Sequence, residues 1–501
     1  MSLRRWGALI FSLVLLVALG LALLPPYLGD SEHYKYWTRL VTIQGLAHAY
    51  SGTWPETYAV YPPVSIALLK LVGHVYVVFV DPTFALVPAL HSEVLTYLTK
   101  LPGVVFHAGL AVVVFAVVAR RRPTTTAISA ACAYGLNPGA LYDVAIWGQP
   151  DSVYSFFAVA GLAVLWLTTR TERVSSGPAP TTELSPASHS PLSPQPGYPA
   201  LVPFPPLPVT PSRYPAIPLS RYPAVALAWL LLALAAWSKP QAWALLPLAL
   251  FVTWSLGGWI GLIVAGLTGA AVTAVVMLPY LLAGTLDQLL SLPSQIASVF
   301  PVVSANAHNL WWLLYGSDAI DRLKDTELAI GSLSFRTIGL TLFVLALATI
   351  LGLYWLRSSH SRSRSSESAA SVDPTIFVLA ATVVLAFTSF STQIHENHAF
   401  TALPLLAIAA GLAGARWPLA ILSVTYPTNL FLHDPSWLPA LLDAGWPIDT
   451  HRLVNSATNL LLLGALLATQ LTAARRGTPT LLAEDTATAT PRSFAFAQDD
   501  P

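Results

Sequence analysis

Apolar runs of about 20 residues recur along the whole chain, and short turns or longer polar segments separate them. Each run is long enough to cross the roughly 30 Å hydrocarbon core of a bilayer as an α-helix. The pattern therefore predicts an all-α polytopic membrane protein with about twelve transmembrane helices. We place these helices at residues 6–24, 101–119, 124–142, 151–168, 223–238, 241–256, 258–282, 336–356, 374–391, 399–414, 417–432 and 453–473.

The composition supports a membrane protein and argues against some partners and some kinds of site. Hydrophobic residues make up 55% of the 501 residues and charged residues 10%, whereas a soluble domain carries about 25% charged residues. The 25 basic and 24 acidic residues give a net charge of +1, so total charge provides no reason to expect a nucleic-acid partner. Cys132 is the one cysteine, which excludes an intramolecular disulfide and a cysteine-cluster zinc site.

The arginine clusters set the expected sidedness of the chain. The sidedness depends on whether the apolar segment 60–80 crosses the membrane. If it did, Arg120–Arg122 and the Arg357–Arg364 cluster would lie outside, against the positive-inside rule. Lys70 and His74 also suit a re-entrant or interfacial segment better than a lipid-buried one. We therefore expect both termini inside. The long polar segments should then lie on the outer face, at residues 25–100, 283–335 and 433–452.

This topology divides the chain into four parts. Residues 1–170 are expected to form an N-terminal transmembrane module whose first outer loop is 25–100. The run 6–24 lacks a small-x-small cleavage site of a signal peptide, so it is interpreted as a retained helix. Residues 171–222 are rich in proline and are expected to be a disordered cytoplasmic linker. Residues 223–475 form a C-terminal transmembrane module with outer loop 283–335, and 476–501 a disordered tail.

Polar residues on the predicted outer face supply candidate chemistry. Asp30 and Glu32 lie two residues apart beyond the first helix, and a partly desolvated carboxylate there can act as a base, although Asp30 also suits a helix N-cap in a solvated loop. Asp151, which follows Gln149, suits the first turn of a helix. Lys239 suits either a helix C-terminus or a contact to phosphate.

Three further outer motifs carry aromatic or histidine side chains. Tyr61 opens the segment 60–80 with two prolines, which also fit a plain helix start. Asn309 and Trp311 belong to a polar and aromatic cluster, where tryptophans also form interfacial belts. In the run 395–398 the two histidines are spaced i, i+3, whereas a zinc-binding H-E-x-x-H helix needs i, i+4. We therefore expect no metal and no cofactor.

Together these motifs resemble the GT-C superfamily of membrane glycosyltransferases, which take sugar from a polyprenyl-phosphate carrier. The likeness is greatest to the dolichyl-phosphate-glucose glucosyltransferases and their prokaryotic relatives. It covers residues 29 to 397, over most of the chain. Gly29, Asp30, Glu32 and Trp37 match a first-loop pattern G-D-x-E-x-x-x-x-W.

The later motifs match with departures. Tyr61-Pro62-Pro63 is similar to a family Y-P-P. The run 308–311 looks like A-N-F-W with His in place of Ala, and 395–397 looks like H-E-K with Asn in place of Lys. Lys239-Pro240-Gln241 is loosely similar to a K-Q turn.

The resemblance implies a GT-C-like fold and an inverting, metal-independent transfer. The sugar would be a hexose taken from a polyprenyl-phosphate monosaccharide, and the acceptor a lipid-linked or cell-envelope glycan. Asp30 would be the general base, with Glu32 supporting it or orienting the acceptor, while His395 and Lys239 would face the donor phosphate. Further substrate-binding candidates are Trp37, Tyr61, Gln149, Asp151, Asn309, Trp311 and Glu396. We expect the protein in a bacterial or archaeal cell membrane, with its active site on the outer face.

Two other function classes compete with this interpretation. A transporter or flippase of twelve spans would place its key polar groups near the membrane midplane, whereas here the large polar loops lie on one side and no inverted repeat is visible. An envelope polysaccharide polymerase or ligase would use a pyrophosphate-linked donor and need a denser set of outer arginines. The outer loops offer Arg39, Arg322, Arg336 and Arg452.

Overall fold

The computed structural model describes residues 1–52, 58–168, 221–363 and 375–476. The predicted linker 171–222, except for its last two residues, and the tail from 477 onward lie outside these ranges. Helices dominate the described residues. They span Leu3–Ala22, Leu28–Ile43, Pro63–Phe79, Leu86–His91, Glu93–Ala119, Thr124–Gly135, Pro138–Leu141, Asp151–Thr168, Tyr222–Ala236, Leu246–Ala283, Leu286–Val299, Leu310–Tyr315, Asp318–Asp321, Phe335–Ser363, Thr375–Phe390, Ala402–Ala413, Trp417–Phe431, Leu438–Asp443 and Ile448–Arg476.

Short irregular elements complete the fold. Residues Tyr142–Trp147 form a π-helical turn, and Leu46–His48 and Pro240–Leu245 form 3₁₀ turns. An antiparallel hairpin pairs Leu328–Ile330 with Leu333–Ser334.

The prediction of an all-α membrane protein is confirmed. Six helical segments in the described residues are long and apolar enough to cross a bilayer, and shorter apolar helices of 10–17 residues accompany them. Every predicted span falls largely on helix, while the total of twelve crossings stays a prediction. The expected boundary between spans 241–256 and 258–282 corresponds to Gly258. Its φ of 55° and ψ of −145° interrupt the helix Leu246–Ala283, a conformation that glycine adopts at little steric cost.

The helix Glu93–Ala119 lies at the centre of the N-terminal bundle and packs against the helices Leu3–Ala22, Thr124–Gly135 and Asp151–Thr168. Small residues allow close helix contacts, as is common in membrane bundles. At Gly161, an added Cβ would lie 2.9 Å from the side chain of Leu232 on the neighbouring helix. This close packing holds the helix Asp151–Thr168, which begins at the candidate residue Asp151, against the helix Tyr222–Ala236.

Within the predicted outer segment 25–100, the first-loop motif lies on a helix. The helix Leu28–Ile43 carries Asp30 in its first turn, and its N-cap is Tyr27 rather than Asp30. Its buried face includes Tyr34, Trp37 and Val41 and packs against the helix Pro63–Phe79. A carboxylate in a first turn is stabilised by the helix dipole, so the fold places Asp30 where a negative charge is favoured.

Candidate active site

The carboxylate of Asp30 is anchored through one oxygen. Its Oδ2 accepts a hydrogen bond of 2.8 Å from Trp147 Nε1 and one of 2.5 Å from Gln149 Nε2. Among the described residues, no donor reaches Oδ1. Two converging hydrogen bonds restrict rotation of the carboxylate, and they leave its second oxygen available to a substrate hydroxyl.

Gln149 connects this carboxylate to two tyrosines. Its Oε1 accepts hydrogen bonds from Tyr34 Oη at 2.8 Å and from Tyr61 Oη at 3.1 Å. The two hydroxyl oxygens are 3.0 Å apart. Because the amide oxygen faces the tyrosines, the amide nitrogen faces Asp30. Trp37 packs edge-on against Tyr61 with ring centroids 5.5 Å apart, so the geometry gives Trp37 a packing role behind the network.

A buried ion pair forms the second part of the site. Lys239 Nζ donates to Asp151 Oδ1 at 2.7 Å, and Asn397 Nδ2 donates to Asp151 Oδ2 at 2.8 Å. Lys239 Nζ also lies 5.3 Å from the ring centroid of Tyr61, which links the pair to the network around Asp30. Lys239 is the residue that precedes the 3₁₀ turn Pro240–Leu245, and its side chain is buried rather than at a solvated helix end.

Further carboxyl groups surround this ion pair. Burial, with repulsion from Asp30 and Asp151, raises the pKa of Glu396 to about 8. Burial also raises the pKa of Asp143 well above its usual range, and Asp151 adds to the shift. The Glu396 carboxyl group is therefore largely protonated at neutral pH. Burial raises the pKa of Asp30 as well, against the lowering effect of the Trp147 hydrogen bond.

The structure places some predicted site residues away from this cluster. Glu32 is exposed to solvent. Asn309 caps the helix Leu310–Tyr315 by accepting from the backbone N–H groups of Trp311 and Trp312. Trp311 is buried and donates from Nε1 to the Phe390 carbonyl at 2.8 Å. Asn309 and Trp311 therefore attach the helix Leu310–Tyr315 to the helix Thr375–Phe390.

His395 lies beside the buried cluster. Its side chain is 35% exposed, and its Nδ1 is 4.0 Å from Glu396 Oε2, too far for a hydrogen bond. Its ring packs edge-on against Phe300 with centroids 5.2 Å apart. His395 is therefore at the boundary between the buried groups and the exterior.

Several residues of the site were not among the sequence candidates. Trp147 belongs to the same motif as Gln149 and Asp151, so that motif carried a usable signal. Tyr34 follows Asp30 by four residues, a spacing that puts both on one helix face. Asp143 was not predicted from the sequence. Its position in the site depends on the π-helical turn Tyr142–Trp147, which the sequence pattern did not predict.

Among the described residues, no group of three or more His, Cys, Asp or Glu side chains is arranged to hold a metal ion. The only cation in direct contact with the carboxylates of the described cluster is Lys239. Asp30 is placed for proton transfer, and Lys239 is placed to donate a hydrogen bond to an anion.

Comparison with known proteins gives structural likeness alone. No family model matches the chain, and no curated protein matches it. One similar solved structure is ArnT from Cupriavidus metallidurans bound to undecaprenyl phosphate, with 15% identity and a TM-score of 0.44 over 94% of this chain and 78% of ArnT.

Another is the archaeal oligosaccharyltransferase AglB from Archaeoglobus fulgidus in complex with an inhibitory peptide and a dolichol-phosphate. Its identity to this chain is 12% and the TM-score is 0.40. The alignment covers 95% of this chain but only 56% of AglB. At these identities and TM-scores, no family, substrate or residue role carries over to this chain. The chain is a helical integral membrane protein with a remote likeness to these two proteins.

Proposed function

We propose that the protein is a membrane glycosyltransferase that moves a hexose from a polyprenyl-phosphate monosaccharide to a lipid-linked or cell-envelope glycan acceptor. The observation that carries the proposal is the environment of the Asp30 carboxylate, namely its hydrogen bonds and its burial. One oxygen is held by Trp147 and Gln149, the other is open, and burial raises the pKa of the group. A base of raised pKa that is still ionised at the working pH removes a hydroxyl proton more effectively.

The transfer is a single displacement. As the acceptor oxygen attacks C1 of the sugar, Asp30 Oδ1 takes the proton of the acceptor hydroxyl. The bond between C1 and the phosphate oxygen breaks with its electron pair going to phosphate, and polyprenyl phosphate leaves. Attack from the face opposite the phosphate inverts the configuration at C1.

Lys239 and His395 are proposed to meet the donor phosphate. A lysine ammonium has three donors, and the bond to Asp151 uses one of them. Lys239 therefore retains donors for the phosphate while Asp151 holds it in place. Asn397, which donates to Asp151, would position the pair. Gln149 and Tyr61 would position Asp30, and Glu32, being exposed, would at most orient the acceptor.

Replacing His395 by alanine should raise the KM for the donor by up to roughly tenfold, the value of one neutral hydrogen bond. The effect is modest because burial and the nearby Lys239 lower the pKa of His395 to about 4, so the ring is neutral at pH 7. The matched control is His451→Ala, since His451 is exposed and contacts the Pro447 carbonyl. Donor kinetics that are unchanged in both variants would remove His395 from the site.

The donor class is tested with labelled sugars. Purified protein in lipid should transfer label from polyprenyl-phosphate hexoses to an extract of membrane glycolipids, and it should not use nucleoside diphosphate hexoses. Heat-inactivated protein controls for non-enzymatic transfer. Transfer from a nucleotide sugar, with none from any polyprenyl-phosphate hexose, would contradict the proposed donor.

A further inference from the structure

A small polar cavity lies beside the site described above, between the helices Thr375–Phe390 and Trp417–Phe431 and the segment that contains His308 and Asn309. Its volume is about 30 Å³, which is room for about two water-sized groups. Glu396, His395, Thr425, Tyr426 and Asn459 are among its lining residues. Most of the lining residues carry polar groups, although apolar atoms make up more of the lining surface.

Three side-chain atoms on the wall of this cavity have no hydrogen-bond partner among the described residues. They are Glu396 Oε2, Thr425 Oγ1 and Asn459 Oδ1, and all three are buried. The amide of Asn459 is oriented by its nitrogen, which donates to the His308 carbonyl at 3.0 Å, so its oxygen is the free atom. A buried polar group without a partner is destabilising, so these three groups need a partner in the cavity, either water or a polar group of a ligand.

The cavity shares two lining residues, His395 and Glu396, with the groups described for the candidate active site. Glu396 is a wall of the cavity, and its carboxyl group interacts electrostatically with Asp30 and Lys239. Tyr426, another lining residue, donates to the Asn397 carbonyl at 3.2 Å, and the Asn397 side chain holds Asp151. The cavity is therefore next to the residues proposed to meet the donor sugar and its phosphate.

We propose that this cavity receives the exocyclic hydroxymethyl group of the transferred hexose and so makes the enzyme select hexoses over pentoses. The inference rests on the proposed function. A hydroxymethyl group consists of one carbon and one hydroxyl, which matches both the size of the cavity and the unsatisfied acceptors on its wall. A hydroxyl donates one hydrogen bond and accepts others, so it can bind Thr425 or Asn459 on one side and Glu396 on another.

The test compares donors that differ only in this group. Glucose and xylose, or mannose and lyxose, share ring configuration, and the pentose lacks the hydroxymethyl arm. Polyprenyl-phosphate forms of each pair are supplied to the wild type and to Thr425→Val, a near-isosteric change that removes only the unpartnered hydroxyl. We expect the wild type to favour the hexose at least tenfold in kcat/KM, and the variant to lose most of that preference.

The matched control is Thr382→Val. Thr382 is also fully buried in the bundle, but its hydroxyl is bonded to the Val378 carbonyl and does not line the cavity. Asn459→Leu removes a second acceptor and should lower the preference further. Thermal unfolding of each variant verifies the fold, and Thr425→Val should keep its stability because it deletes an orphan hydroxyl.

The outcomes separate the two proposals. A wild type that transfers hexose and pentose equally well overturns the cavity assignment and leaves the proposed function in place. A hexose preference that survives in Thr425→Val and Asn459→Leu as fully as in Thr382→Val also overturns the assignment. A wild type that transfers neither sugar from polyprenyl phosphate overturns the proposed function itself.

Discussion

Replacing Asp30 by asparagine should lower the single-turnover rate of sugar transfer by roughly 10²–10⁴-fold, the usual contribution of general-base catalysis. Asparagine keeps the size of the side chain and an oxygen that accepts from Trp147 and Gln149, so the fold should persist. It cannot take a proton from the acceptor hydroxyl. The measurement is single-turnover transfer with saturating donor at fixed pH, alongside thermal unfolding.

The control for this variant lies on the same helix. Glu32 is exposed, so Glu32→Gln removes a charge of the same type two residues away and should cost much less activity. A near-wild-type rate for Asp30→Asn would refute the assignment of the base. A larger loss in Glu32→Gln than in Asp30→Asn would exchange the two roles.

The pH profile adds a second readout for the same residue. Transfer requires Asp30 in its ionised form, so the rate should fall as the pH drops through the pKa of this group. Because burial raises that pKa above the ordinary value of 3.8, the acidic limb should lie at higher pH than for a solvated aspartate. The limb should disappear from the residual activity of Asp30→Asn.

Replacing Lys239 by methionine should abolish use of the donor and destabilise the fold. The ammonium of Lys239 is 3% exposed and 2.7 Å from Asp151 Oδ1, which is itself fully buried. Removing one member of a buried ion pair leaves the other charge uncompensated, at a cost of about 3–5 kcal/mol. Thermal unfolding measures the stability, and transfer kinetics at rising donor concentrations measure donor use.

A double variant separates stability from chemistry. Lys239→Met combined with Asp151→Asn removes both charges and keeps the side-chain volumes similar, so much of the lost stability should return. Donor use should stay lost, since no cation faces the phosphate. If the double variant transferred sugar at the wild-type rate, Lys239 would have only a structural role.

The hydrophobic pattern was enough to predict the helices. Inside a bilayer, the backbone N–H and C=O groups of a single span form their hydrogen bonds within its own helix, so a long apolar run predicts a helix. The predicted boundary between spans 241–256 and 258–282 lies next to the break at Gly258. The described helix boundaries differ from the predicted ones by several residues at some ends. The helix Glu93–Ala119, for example, begins well before the predicted start at 101, because its first two turns carry polar residues.

The site was predictable in part. Sequence motifs gave Asp30, Gln149, Asp151 and Lys239, which the fold brings together. The family resemblance implied that Glu32 supports Asp30 or orients the acceptor. On a helix, residues at i and i+2 do not share a face, so when Asp30 faces the site Glu32 faces solvent.

Residues that enter the site through tertiary packing were beyond the reach of sequence patterns. The partner of Asp151 in the run 395–397 is Asn397, and its contact depends on the helices Asp151–Thr168 and Thr375–Phe390 being neighbours. Asp143 was missed for a related reason, because no local sequence pattern marks a carboxyl group in an apolar run as part of a site. Such groups become visible only when burial and distance are known.

The most direct measurement combines donor, base and stereochemistry in one assay. Purified wild type and Asp30→Asn are incubated with labelled polyprenyl-phosphate hexose and acceptor, and the anomeric configuration of the product is read by nuclear magnetic resonance. We expect the wild type to give product of inverted configuration and Asp30→Asn to give it at least roughly 10²-fold more slowly. Product of retained configuration, or equal rates for the two proteins, would contradict the account.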